Sequence, residues 1–444
     1  MPLVSVVSLG CAKNLVDSEI ILGSFRKSGF EITGEQSTAD CILVNTCSFL
    51  SASRQEAARE IKKALKNKKK GSLLAVAGCF VASHGEELRK LFPEVKIFIP
   101  FSSIPEAGKL CLEALKNTGA AVPLSPENKF LYDSGMPRVL ATLPHYAYVK
   151  IAEGCDNCCS YCLIPSIRGH FRSRPLEDII LEAKKLAALG VREINLISQD
   201  TTRYGEDLYR KPALSKLLKA LVRIKGVAWI RVLYMYPSRV TDELIEAVGK
   251  LDKVAPYFDI PLQHTENRIL RSMGRTYLKE DIEKLLQKIR GRIKNAVIRT
   301  TLITGFPGET KQEFKALLEF IGRVKFDKLG VFVFSKEKGT PAALMPGLVS
   351  GPEKLRRFKA LMKAQQKISL RLNKEKIGSK IEVLVDTVVN GLAEGRRPVD
   401  APDVDGRVYF QERKTGGGIF PGKLVAVKVV KALPYDLIGE VFED

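Results

Sequence analysis

The stretch YAYVKIAEGCDNCCSYC, residues 146–162, decides how the rest of the chain is read. Its first half, rich in aromatic and β-branched residues, predicts a strand over 146–152. Its second half crowds Cys155, Cys158, Cys159 and Cys162 into one loop directly after that strand. Cys155, Cys159 and Cys162 have C-x3-C-x2-C spacing, which can fold three thiolates around one face of a four-iron cubane and leave the fourth iron without a protein ligand. A register through Cys158 and a structural zinc site both stand beside this reading. Zinc, however, wants four ligands in paired form, and no second cysteine or histidine pair follows nearby.

Downstream of the loop, apolar runs alternate with helical patterns: REINLIS, WIRVLY, FDIPLQ, VIRTTLIT and LGVFVFS continue the series begun by YAYVKIA. This alternation predicts a partial (β/α)6 barrel over residues 141–375, with its chemistry on the loops at the carboxyl ends of the strands. Upstream, VSVVSL, CILVNT and LLAVAG alternate with amphipathic stretches and predict a parallel α/β sheet over 1–120. Each of these three runs is followed almost at once by a cysteine: Cys11, Cys47 and Cys79. A parallel sheet collects ligands at the carboxyl ends of its strands, so the three should converge on one edge. Cys41, at a strand start, and Cys111, within a helical pattern, read as core residues.

Residues 121–140, with scattered proline and glycine and little periodicity, read as a linker. Beyond a long basic helix, residues 376–444 change to short strands separated by Gly, Pro and Asp turns, the pattern of a small antiparallel β-barrel of a kind that binds nucleic acid or protein. The fold class is therefore α/β in its first two units, with an all-β third.

The chain has 71 Lys and Arg against 50 Asp and Glu, a formal charge of +21, which favours encounter with polyanions such as RNA or a ribosome surface. No segment reaches the ~20 apolar residues that cross a bilayer, and the amino-terminal MPLVSVVSLGC lacks a basic region ahead of an apolar stretch. A cytoplasmic location without membrane contact is expected, and in that reducing setting clustered cysteines are metal ligands more often than disulfides.

The loop Cys155, Cys159, Tyr161, Cys162 resembles the C-x3-C-x-aromatic-C signature of the radical S-adenosylmethionine superfamily, a match that selects Cys159 over Cys158. The resemblance implies that S-adenosylmethionine binds the open iron and is cleaved there to a deoxyadenosyl radical, with Tyr161 flanking the adenine and Ser198, Gln199 and Asp200 near the methionine amino group. Further stretches, among them LGCAKNLVDSE, VNTCSF, AGC, CLIPSIRG, ISQDTTRYG, DIPLQH, TGFPGET and FSKEKGTPAA, resemble the methylthiotransferases over almost the whole chain. That likeness implies a second 4Fe-4S cluster on Cys11, Cys47 and Cys79, a carboxyl-terminal TRAM barrel, and two uses of S-adenosylmethionine, as methyl donor and as radical source.

Within the family, CAKNLVDSE, ISQDTTRYG and DAPDVDG (400–406) resemble the branch that thiomethylates the β-carbon of an aspartate in the small-subunit ribosomal protein of the decoding centre. Asp400, Asp403 and Asp405 would then recognise a basic ribosomal protein, since three carboxylates on one loop repel phosphates. A reductant protein is implied as a further partner, and the charge leaves room for an RNA contact. Two rivals remain at this point: a tRNA adenosine methylthiotransferase, which shares every cluster ligand, and a non-enzymatic RNA-binding metalloprotein, which leaves two cysteine triads unexplained. His84, His145, His170 and His264 show no metal-ligand spacing, and His264 is a candidate for the wall of the cofactor pocket.

Overall fold

CILVNT and LLAVAG, apolar along their length, form β3 (Cys41–Thr46) and β4 (Leu73–Gly78), and every residue of both is buried. Such strands need cover on both faces, and they sit at the centre of a five-stranded parallel sheet with β1 (Leu3–Ser8), β2 (Glu31–Ile32) and β5 (Ile97–Ile99), in the order β2-β1-β3-β4-β5. The helices α1 (Ala12–Lys27) and α4 (Ala107–Leu115) cover one face, through Val16, Ile20, Phe25 and Cys111. The helices α2 (Ser51–Asn67) and α3 (Cys79–Leu91) cover the other, through Ala57, Ile61, Phe80 and Leu88. In this computed structural model residues 1–116, 130–411 and 418–442 are described, so residues 121–129 of the stretch read as a linker lie outside the described residues.

The second unit begins at β6 (Tyr146–Lys150). A two-stranded antiparallel pair, β7 (Ala152–Glu153) and β8 (Arg172–Ser173), then brackets the cysteine loop and the short helix α5 (Ile164–Arg168). The strands β9 (Glu193–Ile197) and β10 (Trp229–Val232) pair parallel with β6 in the order β10-β9-β6. The strands β11 (Tyr257–Asp259), β12 (Val297–Thr304) and β13 (Lys328–Val333) form a second parallel set, joined to the first by a bridge between Ile230 and Val254. Six parallel strands thus make a partial barrel, and its outer helices pack a core of Leu217, Leu244, Leu286, Leu317 and their neighbours.

After the helix Gly351–Lys374 come β14 (Lys380–Val389), β15 (Leu392–Arg396), β16 (Val408–Gln411), β17 (Leu424–Ala432) and β18 (Leu437–Val441), which close into a five-stranded barrel. Four of its pairings are antiparallel, but β16 and β18 run parallel, a correction to the wholly antiparallel expectation. The reason is arithmetic: an odd ring of strands cannot alternate direction at every pair.

One buried cluster unites the units. It runs from Val16 and Ile20 of α1, through Tyr148, Ile197, Leu233 and Tyr257 in the lumen of the partial barrel, to Ala401 in the loop between β15 and β16. The amino-terminal unit therefore caps the carboxyl mouth of the barrel, and the β15–β16 loop plugs its amino mouth. No helix among the described residues is long and apolar enough to cross a membrane.

Candidate active site between two cysteine triads

Cys11 is the residue that precedes α1, Cys47 follows β3 directly, and Cys79 opens α3 after β4, so all three stand at one edge of the sheet. Gly10, at φ +92°, holds the turn into Cys11 against Cys47: a Cβ on it would come 2.7 Å from the Cβ of Cys47. Arg168, buried, donates from Nη2 to Cys79 Sγ at 3.2 Å. Burial pushes the Cys79 thiol up to about 12 against the pull of Arg168. At Cys11 burial also opposes ionisation, but Lys13 and Arg168 outweigh it and lower the pKa, which makes this thiol the readiest to ionise of the three.

The second triad is held as tightly. Cys155 donates its N–H to the Gly169 carbonyl at 3.0 Å, Ser160 N–H reaches Met273 O at 3.0 Å, and Ala342 N–H reaches Ser160 O at 2.8 Å. Each sulfur accepts an N–H donor: Asn157 N to Cys155 Sγ, Ile164 N to Cys162 Sγ and Arg275 Nη1 to Cys159 Sγ, all at 3.4 Å. Donors aimed at sulfur suit thiolates that ligate iron, where such bonds set the potential. Burial raises Cys155 to about 11 and Cys162 to about 12, and these two interact electrostatically with Cys159. Cys158 is exposed and turns its thiol to Asp156 O at 3.7 Å, outside this set. Among the described residues no three Cys, His, Asp or Glu side chains close on a single-ion site. A cubane does not ask for that, because its thiolates sit on separate irons at separate corners.

Beside the second triad, Tyr161 packs edge-on to Phe306 with ring centroids 6.5 Å apart. Ser198 is buried and its Oγ accepts the Asp200 N–H at 3.1 Å. Asp200 accepts from Arg239 Nη1 at 2.7 Å and from Asn157 Nδ2 at 3.0 Å, which ties this loop to the cysteine loop. Gln199 donates to Glu153 Oε1 at 2.6 Å, while its own Oε1 is buried without a partner. His264 accepts the Glu266 N–H at 3.0 Å, and its Nε2, 3.5 Å from Glu309 Oε1, has no hydrogen bond. Orphaned polar atoms at a barrel mouth fit a polar ligand that completes them.

A buried ion network binds the two triads together. Lys150, the last residue of β6, reaches Asp17 of α1 at 2.5 Å and Glu153 at 2.8 Å. Arg168 meets Asp17 at 2.8 Å and Glu153 at 3.3 Å. Burial opposes the Glu153 charge, yet Lys150 and Arg168 hold its pKa down at about 2. Farther out, buried Glu337 forms an ion pair with Arg54 of α2 at 2.7 Å and accepts the Ser51 N–H at 2.8 Å. Sequence reasoning missed Lys13, Asp17, Glu153, Arg168, Arg239 and Arg275. The available signal was charge inside motifs otherwise destined for burial, as in CAKNLVDSE and CLIPSIRG.

The three aspartates of DAPDVDG lie at the opposite mouth. Asp400 is buried against Lys328 and Arg397, each at 2.7 Å, and Asp405 accepts from Tyr257 Oη at 2.6 Å. Asp403 accepts from Tyr148 Oη at 2.9 Å and, at φ +67°, holds the loop in its turn. Asp400 and Asp405 thus use their carboxylates on the barrel's own side chains, while Asp403 is exposed.

Three family models match the chain: the radical SAM superfamily over residues 149–321, an uncharacterised protein family over 3–100 and the TRAM domain over 377–442. A radical S-adenosylmethionine methyltransferase, TsrM from Kitasatospora setae, shares the fold with a TM-score of 0.56 at 15% identity, over 88% of this chain and 80% of that one. A six-stranded partial barrel with a three-cysteine loop after its first strand defines the class, a radical S-adenosylmethionine enzyme.

Proteins named ribosomal protein uS12 methylthiotransferase RimO are similar over the full length. The one from Pelotomaculum thermopropionicum is 46% identical over 98% of each chain, and the one from Desulforamulus reducens is 45% identical over 99% of this chain and 100% of its own. The chain belongs to this uS12 methylthiotransferase family.

Proposed function

We propose that the protein attaches a methylthio group to the β-carbon of an aspartate in ribosomal protein uS12. The observation that carries this reading is the pair of cysteine triads facing one capped barrel mouth, in a chain 46% identical to a relative named for that activity. Cys155, Cys159 and Cys162 would hold one 4Fe-4S cluster and Cys11, Cys47 and Cys79 a second, with Tyr161, Ser198, Gln199 and Asp200 around S-adenosylmethionine. When bound there, these groups supply the radical and the sulfur and methyl to be transferred.

The chain's own residues bind, orient and exclude water. Arg275 and the Asn157 and Ile164 amides direct N–H groups at the second triad's sulfurs, and Arg168 does the same at Cys79 in the first. The Lys150–Asp17–Arg168–Glu153 network fixes one triad over the other, so that a substrate side chain entering between them meets a site of set width. The division into units 1–120, 141–375 and 376–444, a cytosolic location beside ribosomes and an external reductant protein belong to the same reading. The charge of +21 suits approach to a ribosomal surface.

The test is anaerobic incubation of the reconstituted protein with S-adenosylmethionine, reductant and sulfide, offering uS12 and bulk tRNA together, followed by mass spectrometry. A methylthio group on aspartate is the expected product. Its appearance on tRNA adenosine would overturn the substrate while leaving the cluster assignments in place.

A further inference from the structure

Lys13 is a buried cation in an unusual position. It lies two residues after Cys11, in the first turn of α1, and is 9% exposed. Its Nζ rests 3.4 Å from the ring centroid of Tyr234, at the carboxyl end of β10. The Tyr234 backbone is left-handed at φ +61°, a costly conformation for an aromatic residue, and it is held by three bonds: its N–H donates to Asp259 Oδ2 at 2.9 Å, and its carbonyl accepts from the Thr201 N–H at 3.1 Å and from Thr201 Oγ1 at 3.2 Å. Thr201 directly follows Asp200. Lys13 therefore stands between the first triad's Cys11 and the Ser198–Asp200 pocket beside the second triad.

The neighbouring cations are engaged. Arg168 and Lys150 share Asp17 and Glu153, Arg239 holds Asp200, and Arg275 donates to Cys159 Sγ and to Pro261 O at 2.9 Å. Among the described residues Lys13 has an aromatic face and no carboxylate within ion-pair reach. A buried ammonium without a carboxylate partner is costly, and a ring face replaces only part of its lost hydration. An aspartate to be modified at its β-carbon brings a carboxylate one bond from the reacting atom, and that carbon must lie between the two triads.

We infer that Lys13, on its Tyr234 platform, receives the carboxylate of the substrate side chain and so selects an acidic residue over its amide. This rests on the aspartate reading proposed above. Bound there, the carboxylate supplies the ion-pair partner that Lys13 lacks, and Tyr234 fixes the ammonium so that the β-carbon is held in one orientation.

The experiment compares methylthiolation of two uS12-derived peptides, one with the target aspartate and one with asparagine in its place, by wild type, Lys13→Met and Lys13→Arg. Expected for Lys13→Met is a rise of about tenfold or more in KM for the aspartate peptide, as for loss of one partner of a buried charge pair. Its aspartate-over-asparagine preference should collapse, and Lys13→Arg should restore part of it. Unchanged preference in Lys13→Met overturns the inference. So does an unchanged KM with a shifted reduction potential of the Cys11 cluster, which would make Lys13 a counter-charge to iron. Wild type that modifies neither peptide overturns the substrate reading itself, and the inference with it.

Discussion

The two mouths of the radical barrel are both closed by charged side chains, yet they are closed differently. At the amino mouth each carboxylate that enters is met. Glu193 pairs with Arg231 and Arg396, Asp386 with His145 and Arg396, Asp400 with Lys328 and Arg397, and Asp405 with Tyr257. At the carboxyl mouth the network is left incomplete. Gln199 Oε1, His264 Nε2 and Glu309 Oε1 lack hydrogen-bond partners, and among the described residues Lys13 lacks a carboxylate. Satisfied ions make a joint, and unsatisfied ones make a site. The same chemistry thus serves structure at one end and recognition at the other.

The largest expected effect separates the two triads at the open mouth. Replacing Cys155, Cys159 or Cys162 with alanine should abolish deoxyadenosine formation, measured by chromatography of an anaerobic reaction. Replacing Cys11, Cys47 or Cys79 should spare deoxyadenosine formation and stop methylthio transfer. Methylthiolation that persists in either set would break the assignment of one cluster to each triad.

At the closed mouth the effect moves from chemistry to stability. Arg396→Met leaves Glu193 and Asp386 buried with less compensation, a loss of about 3–5 kcal/mol as for breaking a buried pair, read from the denaturant midpoint. Turnover per folded molecule should hold. Acid sharpens the point through Asp386: burial opposes its charge, but His145 and Arg396 outweigh it and lower its pKa. A depressed carboxylate contributes stability above its unfolded pKa, about 3.9, and loses it as pH falls through the folded value. The gap in melting temperature between wild type and Asp386→Asn should therefore stay level from neutral pH to about 5 and close below about 4. A gap that stayed open in strong acid would contradict the pairing.

Much of this arrangement was legible in the chain. Short apolar runs separated by helical patterns marked all six barrel strands, and the cysteines after Ser8, Thr46 and Gly78 marked the sheet edge, because both follow from local pattern. What was not legible is which charges meet. Asp17 and Arg168 are 151 residues apart, and Glu193 and Arg396 are 203 apart, so nothing in either neighbourhood announces the partner. The parallel β16–β18 pairing was hidden for a similar reason: it is imposed by ring closure and not by the strands themselves. Lys13 carries no signal of its own in CAKN, since a lysine in a first helical turn reads as solvated, and only the fold brings Tyr234 beneath it.

The smallest expected effect tests the plug directly. Of the three loop aspartates, Asp403 is the one at the surface, and its carboxylate accepts from Tyr148 at 2.9 Å and from Tyr146 at 3.4 Å. If the loop served to attract a basic protein, Asp403→Asn would remove its most accessible charge and raise the KM for uS12 severalfold, more so at low salt. If the loop serves to close the barrel, asparagine keeps an acceptor for Tyr148 and tolerates the left-handed turn at φ +67°, so the change falls within the ~0.5 kcal/mol usual for surface substitutions. Steady-state kinetics at two ionic strengths should show a KM for uS12 unchanged within about twofold, as that energy implies. A salt-dependent rise instead would return this loop to the substrate surface and erase the contrast between the two mouths.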